Sequence, residues 1–172
     1  MELNEAIRGR RSVRSYEPRP VPRETLVELV EAGCWAPSAG NLQTWKFVIL
    51  TDEQKLRKLR MIAPGVIGDP TAAIVVCEDV AESTRRAGPA AAAVVTKMDA
   101  AAAAFSITLS AHAAGLGSCL VGSFHAKAVQ QLVHLPEDIV PMLIVSIGYP
   151  AKTPKAPPRK IEGSYFFEVY NG

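Results

Sequence analysis

Arg10-Arg11-Ser12-Val13-Arg14 gathers three guanidiniums and a hydroxyl within five residues. Arginine forks bind phosphate oxygens bidentately, so this run has the donor set of a phosphate site. The plain alternative is a solvated basic face, because Arg8, Arg19 and Arg23 extend the cluster and only Glu2, Glu5, Glu17 and Glu24 oppose it. No other group competes for the chemistry. Gly115-Leu116-Gly117-Ser118-Cys119-Leu120 lacks the third glycine of a dinucleotide loop and follows a helical pattern instead of a strand. His112, His125 and His134 share no motif and read as structural histidines. Asp52/Glu53, Glu78/Asp79 and Glu137/Asp138 are adjacent pairs that read as helix starts or loop charges. Cys34, Cys77 and Cys119 lie far apart among apolar neighbours, which points to buried free thiols rather than a zinc site, a disulfide framework or a nucleophile. An enzyme with this inventory has its chemistry done by a cofactor.

The elements that must position these residues are legible as periodic apolar runs. Leu3, Ala6 and Ile7 suggest a short opening helix ending near Gly9. After a turn over Pro18 to Pro22, Pro22 suits a first helical position, and Leu26, Leu29 and Val30 carry the stripe to Cys34. Ala36 to Asn41 must break that helix in a tight loop. Trp45–Leu50, Ala72–Cys77 and Pro141–Tyr149 read as strands, with a short extended segment at Leu120 and Val121. Thr51 and Gln54 fit a capping box for a helix carrying Leu56 and Leu59. A long helix is expected over Lys97–Ala114, capped at Gly115 or Gly117, and another over Ala126–His134. Strands and helices mix without regular βαβ alternation, so the expected class is α+β.

At 172 residues the chain is expected to form one domain over residues 1–172, and at 48% hydrophobic residues it is too apolar for a disordered chain. A net charge of +2 excludes a bulk nucleic-acid binder; only the arginine arm would support one. The uncharged stretch from Ala100 to Phe124 is long enough to span a bilayer, but it is built from alanine and carries Ser106, Thr108, Ser110 and His112. It reads as a core or subunit-interface helix, not a membrane span. The first residues show no signal-peptide pattern, so a cytoplasmic setting is expected. The tail is proline-rich from Pro150 to Pro158 and then aromatic at Tyr165, Phe166, Phe167 and Tyr170, which suits an extended arm laid along a partner subunit.

Taken together, Arg10 to Tyr16, Pro20-Val21-Pro22 and Ala36 to Trp45 resemble, in order and spacing, the N-terminal half of the nitroreductase family. Gly115 to Phe124 is similar to that family's segment beside the flavin ring, and Ile147 to Pro150 with Pro158-Arg159-Lys160 is similar to its closing strand and phosphate-binding tail. The resemblance implies a mostly antiparallel sheet flanked by helices, in an intertwined homodimer whose C-terminal arm lies on the partner. It implies FMN held at the subunit interface by Arg10, Arg11, Ser12 and Arg14, with Arg159 and Lys160 adding charge at the phosphate. Pro37, Ser38, Asn41 and Gln43 would come from the second subunit, and Leu120, Val121 and Gly122 would lie against the ring. The implied activity is ping-pong transfer of reducing equivalents from NAD(P)H through FMN to nitroaromatics, quinones or similar small acceptors. Family relatives also fragment flavin, dehalogenate or oxidise peptide heterocycles. The stretch from Arg60 to Asp99 is short beside larger members, which carry extra helices over the flavin there; a non-catalytic flavin-binding module is the alternative this departure raises.

Overall fold

The computed structural model describes residues 1–170. Its elements run α1 (Leu3–Gly9), α2 (Arg23–Cys34), a 3-10 turn (Ala39–Asn41), β1 (Trp45–Leu50), α3 (Glu53–Ile62), β2 (Ala72–Asp79), α4 (Val80–Ala87), α5 (Pro89–Ala113), β3 (Gly117–Val121), α6 (Ala126–Leu132) and β4 (Ile139–Gly148). The four strands form one sheet in the order β1-β2-β4-β3, every neighbouring pair antiparallel. The α+β class and the antiparallel sheet flanked by helices are therefore as expected.

β2 explains the layering. Successive strand side chains point to opposite faces, so a strand apolar at every position must be covered on both. Ala72, Ile74 and Val76 pack with Leu26 and Leu29 of α2 and with Ala100, Ala104, Ile107 and Ala111 of α5. Ala73, Val75 and Cys77 turn the other way, towards Leu56 and Leu59 of α3 and Val129 of α6. The sheet is thus a single layer between two helical ones. Pro141 lies within β4 and has no N–H to give the ladder; the register shifts opposite it, between Val76 and Cys77, as a bulge allows.

α5 begins at Pro89, eight residues before the expected Lys97. Its buried positions, Ala92, Thr96, Asp99, Ala100, Ala103, Ala104, Ile107, Thr108 and Ala111, recur at helical spacing and face the protein. Small alanines let its backbone approach the sheet closely. The opposite face is also apolar: Val94, Met98 and Phe105 are exposed. The helix is long and apolar enough to cross a membrane, yet it seats a full stripe in the core.

Other expectations need correction. The N-cap of α3 is Asp52, whose carboxyl accepts from the Lys55 N–H at 2.8 Å, rather than a Thr51–Gln54 box. Asp has the shorter, charged acceptor, which the helix dipole favours. Pro22 precedes α2 as its N-cap instead of opening it. Cys34 is exposed, whereas Cys77 and Cys119 are buried. Gly115 takes the left-handed conformation after α5, and Gly117 instead opens β3.

Ile107 is fully buried at the α2–α5–sheet junction, 3.0 Å from where a methyl group on Gly33 would sit. Ile107→Ala is expected to cost about 2–5 kcal/mol, read as a lower urea midpoint with an unchanged m-value.

Candidate functional site

The arginine segment starts where α1 stops. Gly9 has no room for a side chain: a Cβ there would lie 2.6 Å from His112 Nε2. Arg11 turns back, and its Nη1 donates to the carbonyls of Arg8, Gly9 and Arg10 at 2.6, 3.0 and 2.9 Å. Those carbonyls are the unsatisfied acceptors that a helix end leaves, so one arm of the Arg11 fork is engaged there.

The chain then lies along β3. Val13 N donates to Ser118 O at 2.9 Å, and Ser12 bridges Ser118 in parallel. Gly117 permits this docking, because a Cβ there would meet the Val13 side chain at 2.7–2.9 Å. Tyr16 fastens the other end. Its buried hydroxyl donates to Val13 O at 2.7 Å and shares a 2.9 Å hydrogen bond with Ser146 Oγ. Burial pushes the Tyr16 phenol up to about 12, so it keeps its proton as a donor. Glu17 N to Tyr149 O and Ala151 N to Ser15 O close the clasp on the exit of β4.

Held this way, Arg10 and Arg14 remain free to act. Arg14 is exposed, and among the described residues its guanidinium hydrogen-bonds only to Ser12 O, at 3.5 Å. The Arg10 Nε is buried without a hydrogen-bond partner. A buried donor left unpaired costs free energy, and an anion would relieve it. The loop after α3 joins this segment to the end of β3: a Cβ at Gly68 would meet Arg14 O at 2.6 Å, and one at Gly65 would meet Val121 at 2.6 Å. Beyond it, Leu120 is partly exposed, the Val121 side chain is buried, and Gly122 has only Leu143 near, at 3.8 Å. The structure therefore lays Ser12 to Arg14 along β3, whose far end carries Leu120 and Val121, with Arg10 at the end of α1 where the segment begins.

It does not bring in the remaining residues. Pro37, Ser38, Asn41 and Gln43 sit in the loop after α2, and among the described residues no hydrogen bond joins them to the arginine segment. Arg159 and Lys160 lie on the exposed arm that follows Pro150, and among the described residues no hydrogen bond joins them to that segment. The arm forms no strand within the described residues. It packs on itself, with Tyr165 against Phe167 and Phe166 against Tyr170.

Sequence reasoning missed a buried acid pair. Asp79 does start a helix, capping α4 through the Glu82 N–H at 2.8 Å. Glu78 does not; it is fully buried at the end of β2. Its Oε2 accepts from Thr44 Oγ1 at 2.7 Å, while Oε1 has no partner. The signal was the alternation Ala72, Ile74, Val76, which continues inward to position 78. Asp99 of α5 is also buried, and its two oxygens accept from Ala39 N at 3.1 and 3.2 Å. No group of three or more His, Cys, Asp or Glu side chains suited to a metal occurs among the described residues.

Burial, opposed by the Thr44 hydrogen bond and reinforced by Asp99, raises Glu78 from 4.5 to about 7. The folded state then holds this proton more tightly than the unfolded chain does, so its contribution is full below pH 4.5 and is lost as pH rises towards about 7. Glu78→Gln should gain stability relative to the natural protein across that window and level off above it. Parallel urea-unfolding profiles for the two proteins from pH 5 to 8 would contradict the assignment.

The family description "Nitroreductase family" matches residues 7–67 and 60–149. A relative from Methanothermobacter thermautotrophicus, with NADH dehydrogenase/NAD(P)H nitroreductase in its name, is 31% identical over 160 residues, covering 90% of this chain and 80% of its own. The FMN reductase [NAD(P)H] of Bacillus subtilis is 27% identical over 175 residues, covering 91% of this chain and 70% of that protein. The solved FMN-dependent nitroreductase of Clostridium difficile R20291 superimposes with a TM-score of 0.84 at 27% identity, over 98% of this chain and all of that one. Matched across the whole of its sheet and most of its length, the chain belongs to the nitroreductase family.

Proposed function

We propose that this protein is a cytoplasmic, homodimeric, FMN-dependent oxidoreductase that takes reducing equivalents from NAD(P)H and passes them to nitroaromatics, quinones or similar small acceptors. The observation that carries the reading is the clasped segment beside β3, with a buried Arg10 Nε lacking a partner among the described residues and Arg14 held by one long hydrogen bond to Ser12 O. The donors fit the group: two guanidiniums and the Ser12 hydroxyl suit a phosphate, and the backbone at Gly122 is clear of side chains where a flat ring needs close approach. FMN, when bound, supplies two-electron exchange between nicotinamide and acceptor in ping-pong order.

The chain's own part is binding and electrostatics. Arg10, Ser12 and Arg14 hold the phosphate and ribityl chain, with the free arm of Arg11 beside them. Arg14 also supplies positive charge towards the pyrimidine edge, where reduction places negative charge. The backbone from Leu120 through the end of β3 to Gly122 gives the ring its floor. A second copy contributes Pro37, Ser38, Asn41 and Gln43, and Arg159 with Lys160 reach the phosphate from the arm. Support for the dimer comes from apolar surface that a lone subunit leaves in water: Trp35 is 90% exposed, and Phe105, Phe167 and Tyr170 are exposed as well.

The purified protein is expected to be yellow or to take up added FMN, to bleach with NADH or NADPH under nitrogen, and to recover its colour with a quinone. A colourless protein that binds no FMN overturns the proposal. Arg14→Ala should weaken FMN binding more than tenfold, since a hydrogen bond to a charged group is worth about 1.5–3 kcal/mol. Fluorescence titration of the flavin measures it.

A further inference from the structure

The loop from Ser38 to Thr44 turns through three left-handed residues, of which Gly40 and Asn41 suit the conformation and Gln43 does not. Gly40, Asn41 and Gln43 all take positive φ, at 55°, 53° and 52°. For residues with a side chain this region is costly, and it persists where the surroundings over-determine it.

Three elements supply that constraint from outside. Asp99 of α5 receives the Ala39 N–H on both carboxyl oxygens, at the first residue of the 3-10 turn. Arg86 of α4 donates to Leu42 O at 2.8 Å. Glu78 and Asp79 of β2 take the Thr44 hydroxyl and pair with its carbonyl, at 2.7 and 2.8 Å. Within the loop, Gln43 N reaches Ser38 Oγ and Gln43 Nε2 reaches Asn41 Oδ1.

Asp99 is the costly member of this set. It is the one charged residue on the buried face of α5, and among the described residues no basic side chain forms an ion pair with it. A buried carboxyl held by one backbone N–H is a poor way to stabilise a core, where an apolar residue would pack at less cost. What it does secure is the place of one peptide in a strained loop.

We propose that Asp99 is a positioning residue, with Arg86 as its surface counterpart: together they pre-set the Ser38–Gln43 loop in the shape that grips the flavin of the neighbouring subunit. The inference rests on the FMN reading above and deepens it. Pre-setting lowers the ordering cost at the moment of binding, so loosening either anchor weakens FMN affinity without any contact to FMN being removed.

The test is FMN titration of the apoprotein by flavin fluorescence for the natural chain, Asp99→Asn, Asp99→Ala and Arg86→Ala. The FMN-free melting temperature and amide exchange of residues 39–43 are measured beside it. Asp99→Ala should raise the FMN Kd about tenfold or more, in keeping with the sensitivity of bound geometry to small displacements. Asp99→Asn, which keeps one acceptor oxygen, should fall between. Arg86 is exposed on α4, so Arg86→Ala should keep the melting temperature, speed exchange in the loop and shift the Kd in the same direction. A purely structural role lowers the melting temperature and leaves the Kd of the folded protein unchanged; that result overturns the proposal. Should Asp99→Ala fail to fold, an Arg86→Ala protein that binds FMN like the natural chain overturns it equally. A natural chain that binds no FMN instead overturns the oxidoreductase reading itself.

Discussion

The Tyr16 hydroxyl sits at the junction on which the site depends. One buried oxygen meets Val13 O in the arginine segment and Ser146 Oγ in β4, so the segment, the strand that closes the sheet and the β3 edge move as one body. Without that tie, five residues carrying three guanidiniums would be a surface loop whose mutual repulsion spreads them. Buried in a dry setting, the hydroxyl keeps its proton well past neutral pH, and the bond to Val13 is present whenever the protein is folded. The absence of side chains at Gly117 and Gly148 serves the same docking: Val13 occupies the first space, and the Tyr16 ring lies 2.9 Å from where a Cβ of the second would be.

The two faces of the sheet divide the labour. One carries α2 and α5, and through the buried end of β2 and Asp99 it governs the loop after α2. The other carries α3 and α6, and the loop after α3 reaches across to Arg14 and Val121. The short middle of the chain is thus not empty of structure. It contains β2 and α4 and supplies Arg86 and Glu78 to the loop, which is a supporting role rather than a cover.

Much of this was legible in the residues. Apolar runs such as Ala72–Cys77 and Met142–Ile147 read as buried strands and are so, and the arginine run has the donor chemistry of an anion site. What was not legible has identifiable causes. The first turns of α5, rich in alanine and valine, carry no polar face to mark a periodicity, so the sequence hides its start. α4 is a two-turn helix whose boundary depends on Asp79, and adjacent acids do not reveal which one faces inward; Glu78 is buried because strand pleating carries the inward alternation one step past the last apolar residue. Cys34 has apolar neighbours in sequence, but it falls on the outer side of α2, a matter of helical phase at a frayed end.

Arg11 gives the N-terminal helix a stake in whatever the site holds. One of its amino groups already serves three carbonyls at the end of α1, and the same side chain faces the basic cluster from within it. An anion that recruits that amino group strips the helix of its closing donor; an anion content with the other arm leaves the helix intact. The end of the first seven-residue helix and the start of the arginine segment thus share a single planar cation.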